Sequence, residues 1–200
     1  MNSQPCIVVA GLGRCGSSLL MQMLSAGGVP CLGSYPDFED ERTVPETFSA
    51  PWFDGLRGCA VKILEAHRLP IMKMPGHIVI WLYRDEIEQA KSALKFLAST
   101  GMRVDNGRRA VRAFAAGIRR DSSIASARLG LLHDNPTLAI SFATIVEHPT
   151  DVASKISRWL ARFGFSTDPD AMAGQVVPRP ATCLPYMLET YLVEPANGSR

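Results

Sequence analysis

The chain has 200 residues, 46% hydrophobic and 20% charged, with a mean hydropathy of +0.06. That is enough for one core closed without disulfide or metal staples, and too apolar for general disorder. A net charge of +2 is too mild to imply nucleic acid by itself, and no apolar run approaches the roughly 20 residues of a membrane span.

The five cysteines (6, 15, 31, 59 and 183) are odd in number and include no CxxC pair. That argues against structural zinc and against a secreted disulfide framework. The N-terminus MNSQPCIVVAG lacks the basic start of a signal peptide, so a cytoplasmic protein is expected.

In chain order, residues 6–10 (CIVVA) form an apolar, β-branched run that reads as a buried strand. It runs into GLGRCGSS at 11–18, and residues 17–26 then take a helical period that Gly27-Gly28 stops. Residues 29–58 hold four prolines and the acidic run 37–41 (DFEDE); they read as a long loop with at most a helical turn. Strands are predicted at 59–64, at 77–83 and at 137–142; the second of these is apolar throughout, as a strand buried on both faces is. Helices are predicted at 85–99, capped by Asp85, at 105–132 with a bend at Gly117, and at 149–163 with Pro149 in its first turn. The expected organisation is an α/β domain over 1–165, a three-layer α/β/α unit on a central parallel sheet. A proline-rich tail, 166–200, packs on the same domain and frays at its end.

The loop at 11–18 joins a strand to a helix start, where free N–H groups and the helix dipole attract a phosphate. Three ligand chemistries fit. The spacing Gly11-x-Gly13-x-x-Gly16 matches a dinucleotide fingerprint, but the following strand lies near Cys59 rather than just past the helix. The spacing Gly11-x-x-x-x-Gly16 followed by Ser17-Ser18 matches a P-loop whose lysine is replaced by Ser17. A kinase of that kind, using ATP and Mg²⁺, loses the cation that bridges its phosphates, with Arg14 a partial substitute. Asp85 then reads either as a Mg²⁺ carboxylate or as a plain helix cap.

The third reading is a resemblance. Arg14-Cys15-Gly16-Ser17-Ser18 after a strand resembles the phosphosulfate loop of the sulfotransferase family, with Cys15 in place of the usual hydroxyl residue. Arg84 at a strand's end and Ser92 eight residues later, two turns into the next helix, resemble that family's second signature. The segment Ile145-Val146-Glu147-His148-Pro149 and the stretch LLMQMLSAGGVPCLG look like further parts of short bacterial sulfotransferase-like proteins. The resemblance covers about residues 6–165. It implies the P-loop-like α/β/α fold with 3′-phosphoadenosine 5′-phosphosulfate (PAPS) as donor and no metal. Gly13, Arg14, Cys15, Gly16, Ser17 and Ser18 then cradle the 5′ end, and Arg84 and Ser92 grip the 3′-phosphate.

Sulfuryl transfer builds negative charge on the leaving phosphate's bridging oxygen, so the site needs a cation and fixed donors there. Arg14 is the first candidate and Lys62, set in an apolar strand, the second. Animal members of the family carry a histidine two residues after the strand lysine; position 64 is leucine here. Glu65 and His67 follow at once as candidate general bases, and imidazole changes charge nearest neutral pH. The acidic run 37–41 is the rival. Ser17 and Ser18 also read as mere helix caps.

Seven arginines between 103 and 128 face two acids. They form either a solvated face or a basic wall; nucleic acid is admitted as a partner but not favoured, since no aromatics interleave. Cys15, beside Arg14 at a helix N-terminus, is expected to be the reactive thiol. The acceptor, a hydroxyl or amine, is expected in a pocket built by the long loop and the tail. A protein that binds a nucleotide without turning it over is the remaining alternative.

Overall fold

The computed structural model describes residues 4–44, 46–49, 55–69, 76–132 and 135–183. The first strand, β1 (Cys6–Gly11), is buried along its whole length. Side chains alternate across a strand, so Ile7 and Val9 enter one core while Cys6, Val8 and Ala10 enter another. An element with two apolar faces is stable only between two layers, which is why β1 lies inside the sheet. It pairs in parallel with β2 (Ala60–Leu64) on one side and β3 (His77–Tyr83) on the other. β4 (Thr137–Ser141) adds to the outer edge of β3, for the order β2-β1-β3-β4, all parallel.

Helices cover both faces. On one lie α1 (Ser17–Ala26), the short α4 (Phe142–Glu147), α5 (Pro149–Ala161) and α6 (Pro169–Ala173). Their Leu20, Met23, Ile145, Ile156 and Met172 pack on Ile7, Val9, Ile78 and Ile80. On the other lie α2 (Glu86–Ser99) and the long α3 (Arg108–Leu132). Ala90, Ala115, Ile118, Ala125 and Leu129 of these helices meet Val8, Val61, Ile63 and Val79. This is the three-layer α/β/α architecture with a central parallel sheet.

Several boundaries moved for local reasons. The last strand ends at Ser141, not 142, because the Ser141 side chain accepts from the Ala143 N–H and caps α4. The long helix starts at Arg108; Asp105 stays outside and accepts from the Gly107 N–H. The tail contains a helix that its prolines hid: Asp168 caps α6, and Pro169 sits at its first position. Met172 then closes on Gly27, at the end of α1. Residues 184–200 of the expected tail lie outside the described residues. Among the described residues no helix is long and apolar enough to cross a membrane.

The connection from β1 leads to β2 on one side, and the chain then crosses to β3 on the other side. A crevice opens at such a reversal, beyond the C-terminal ends of the strands, and ligands bind there in open parallel sheets. Gly11, Leu64 and Arg84 all stand at that edge.

Candidate functional site

Residues 12–16 leave β1 in a tight turn. Arg14 and Gly16 both take left-handed backbone conformations, with φ of 69° and 96°. Glycine carries that freely, whereas at an arginine it is a strained conformation that its surroundings must hold. Gln89, buried on α2, supplies the hold: its side-chain amide donates to the Leu12 and Gly13 carbonyls, at 3.3 and 2.8 Å. A Cβ on Gly16 would strike the Phe142 ring at 2.4 Å, so the loop must be glycine here on two counts. Among the described residues two other non-glycine residues have positive φ, Phe38 and Glu65; Phe38 flanks Glu39, and both glutamates line cavities at this edge.

Ser17 and Ser18 begin α1, yet neither caps it. Gly16 is the N-cap, with no side-chain hydrogen bond to the helix. The two hydroxyl residues line a pocket of about 200 Å³ together with Gly13, Arg14, Lys62 and Arg84. Asp85, by contrast, is a helix cap, accepting from the Glu88 N–H at 3.0 Å.

The residues named from the second signature converge on this loop. Arg84 is 6% exposed and Ser92 is 3% exposed. The Arg84 guanidinium donates to the Arg14 carbonyl at 3.3 Å and to the Ala181 carbonyl at 3.4 Å, and stacks 4.4 Å from the Phe142 ring centre. Arg14 Nε donates to Ser92 Oγ at 3.2 Å, and its guanidinium lies over Phe96 at 5.1 Å. The strand-end arginine and the helix serine thus both touch one loop residue, 70 and 78 positions away in the chain. Arg179, from the tail, approaches the same Phe142 ring at 5.5 Å; neither it nor Gln89 carries a local sequence signal for this place.

Lys62 is 3% exposed. Side-chain parity on β2 turns it to the face that α1 covers, where Nζ reaches Ser18 Oγ at 3.4 Å, the Asp37 carbonyl at 2.5 Å and Glu39 Oε1 at 3.2 Å. A buried ammonium is tolerated only with partners of this kind. The long loop supplies two of the three, so the acidic run is drawn by Lys62 to the loop that follows β1.

The other two candidate bases lie further round. Glu65 pairs with Arg68 at 2.9 Å. His67 Nε2 stands 3.9 Å from Asp121 on α3, and its Nδ1 is buried with no hydrogen-bond partner among the described residues. Both line a cavity of about 930 Å³ between α2 and α3, whose walls include Leu97, Phe114 and Ile118. It shares Gly13, Arg14 and Phe96 with the smaller pocket beside Ser17 and Ser18. A third cavity, about 360 Å³, adjoins Glu39, Lys62 and Glu65. Among the described residues, the walls of the largest of these cavities come mainly from α2 and α3.

The expectation for Cys15 is corrected. Its side chain is fully buried against Gly11. Burial pushes the thiol up to about 11, outweighing the lowering by the N–H groups of Ser17 and its own residue and by Lys62. Desolvation defeats the helix N-terminus at this position. Of the arginine stripe, Arg103 and Arg120 border the large cavity, Arg119 pairs with Glu86 at 3.2 Å, and Arg108, Arg109 and Arg112 are exposed.

No protein-family profile matches the sequence, and no curated protein matches it. Solved structures do share the fold. A mouse sulfotransferase crystallised with PAP superposes with a TM-score of 0.57 at 15% identity, over 86% of this chain and 61% of that one. A sulfotransferase from Mycobacterium avium gives 0.55 at 13% identity, over 87% and 67% of the two chains. One from Alicyclobacillus acidocaldarius gives 0.51 at 16% identity, over 84% and 85%. This chain thus spans less than two thirds of the mouse protein's length. What it has in common with all three is the sulfotransferase α/β fold.

Proposed function

We propose that this chain, built on the sulfotransferase fold, moves a sulfuryl group from PAPS to a hydroxyl or amine acceptor. The observation that carries the reading is the meeting of Arg84 and Ser92 with the phosphate loop at Arg14. Two separate anion-binding elements on one pocket suit a nucleotide with phosphates at both its 5′ and 3′ positions. PAP, the ligand in the mouse structure, is such a nucleotide.

The 5′-phosphosulfate lies in the loop, against the N–H groups at the start of α1 and the hydroxyls of Ser17 and Ser18. The 3′-phosphate takes charge-assisted bonds from Arg84 and a hydroxyl bond from Ser92. Lys62 and Arg14 supply positive charge to the bridging oxygen as the sulfuryl group departs. Because Arg14 rests on Ser92, donor binding and charge stabilisation are coupled through one side chain. Glu39 is the base: it lines the phosphate pocket and touches Lys62, whereas His67 lines only the cavity beside it. The acceptor's body occupies the α2–α3 cavity, with its reacting group toward the wall shared with Arg14 and Phe96.

Thermal shift with 3′,5′-ADP, 5′-AMP and ATP plus Mg²⁺ tests the donor, since a ligand of the native state raises Tm. The 3′,5′-ADP shift is expected to exceed that of 5′-AMP, and Arg84→Ala to erase most of the difference. Equal shifts from both nucleotides in the wild type sink the 3′-phosphate assignment, and a larger shift with ATP and Mg²⁺ favours a phosphotransferase. Slow hydrolysis of PAPS, compared in Glu39→Gln and His67→Asn, then tells the base from the wall residue.

A further inference from the structure

Three of the five thiols gather at the N-terminal end of the sheet, about 16 Å down β1 from the phosphate loop. Nothing in the donor reading uses them. Cys6 opens β1, and Cys59 precedes β2. The strand register pairs Ile7 with Ala60, and the Ile7 N–H donates to the Cys59 carbonyl at 2.9 Å. Extended by one residue, that register sets Cys6 beside Cys59. Cys6 packs on the α2–α3 side of the sheet with Val8 and Ala10, and the parity of Val61 and Ile63, extended one step before β2, directs Cys59 to the same side. Neighbouring strands lie about 4.8 Å apart, inside the roughly 4.4–6.8 Å between α-carbons that a disulfide spans.

The two thiols influence each other's ionisation. The Cys6 thiol donates a hydrogen bond to Cys59, which holds Cys59 down to about 7 against the opposing effect of its partial burial. The same bond pushes Cys6 up, and burial adds to it. Cys59 is half-buried and within reach of solvent, while Cys6 is buried. The third thiol, Cys31, bridges to Ala60 and packs against the opposite core, where its Sγ donates to the Val29 carbonyl at 3.3 Å. Burial pushes it up to about 12. Its thiol is therefore less reactive than that of Cys59, and it packs on the face of the sheet opposite Cys6.

We propose that Cys6 and Cys59 form a reversible dithiol–disulfide site, oxidised by hydroperoxides. The Cys59 thiolate attacks the peroxide O–O bond, taking one oxygen to become a sulfenic acid and releasing hydroxide, which is protonated to water. The Cys6 sulfur then attacks the Cys59 sulfur. The sulfenic hydroxyl leaves with the Cys6 proton as a second water, and the S–S bond remains. In sum, two thiols and one hydrogen peroxide give one disulfide and two waters. The bond closes residues 6–59 into a ring that contains the phosphate loop, α1 and Glu39. Oxidation therefore restrains the unfolded chain over the segment that builds the phosphate pocket.

The test needs no nucleotide. Reduced wild-type protein is treated with a few equivalents of hydrogen peroxide, blocked with N-ethylmaleimide and mapped without reduction. A Cys6–Cys59 linked peptide is expected, with Cys15 unlinked and the product returned to thiols by dithiothreitol. Tm of the oxidised form should rise by about 5 °C or more. In Cys6→Ser the chemistry should stop at a sulfenic acid on Cys59 that dimedone traps, and in Cys59→Ser no linked peptide should form. A Cys31–Cys59 linkage, or a wild-type Cys59 that dimedone labels to completion, overturns the proposal. The wild-type map decides between these outcomes even if a variant fails to fold.

Discussion

The two ends of the sheet hold cysteine in opposite chemical states. Beyond the C-terminal end of β1, Cys15 stands at a helix start beside an arginine, where local rules lower a thiol's pKa, yet burial pushes it up to about 11. At the other end, Cys59 precedes a strand rather than a helix, and hydrogen bonding with Cys6 brings it down to about 7. The difference lies in who is desolvated and who has a partner. The same contrast runs through the charges: Lys62 and Arg84 are buried at the C-terminal edge, each held by several acceptors or a ring, and the strained backbone of Arg14 collects there too. Strain and buried charge are costly, and they persist where the surroundings determine them.

The strongest way to break that contrast is to remove the buried charge. Lys62→Met keeps the aliphatic length and loses the ammonium. PAPS turnover is expected to fall by about 10²-fold or more, the scale of one missing transition-state donor, with 3′,5′-ADP affinity falling less, because backbone N–H groups and hydroxyls hold the phosphates too. Arg14→Ala should show the same split between rate and affinity, and Arg14→Lys should recover much of it. A variant that loses nucleotide binding outright while the wild type turns nothing over assigns these cations to affinity alone.

Gly16→Ala probes the strain. The new methyl meets Phe142, and alanine must hold a φ of 96°. Chemical denaturation should show a loss of about 1–3 kcal/mol. A neutral result would mean that the loop relaxes without Phe142.

The smallest effect sharpens the thiol comparison. A timed iodoacetamide pulse, followed by peptide mapping, should label Cys59 ahead of Cys15 in reduced protein. Because the Cys59 thiol is lowered, its thiolate and its labelling rate should rise as pH passes upward through about 7 and level off above it. Cys15 should stay unlabelled across that range. Faster labelling of Cys15 would show that the loop opens in solution.

Much of this site is legible in the chain itself. A β-branched run, glycines at 11, 13 and 16, two serines and a helical period specify a strand, a tight turn and a helix, because those features depend on neighbours a few residues apart. Arg84 and Ser92 are readable for the same reason: a strand end and a position two turns into a helix are local geometry. The parity of apolar residues in β1 and β3 likewise dictates a sheet covered on both faces, hence three layers.

Only the tertiary structure decided the rest, and each case turns on contacts between residues distant in sequence. Lys62 selects Glu39 and the Asp37 carbonyl as partners because a buried ammonium must be satisfied, and that draws the long loop onto the pocket beside α1. His67 is turned instead toward Asp121 on α3, into a cavity that exists because α2 and α3 leave space between them. Gln89 and Arg179 join the site through packing that no local spacing announces. Cys15 lost, and Cys59 gained, the character expected of a reactive thiol: solvent access and cross-strand partners are properties of the folded chain, and they outweigh the local sequence.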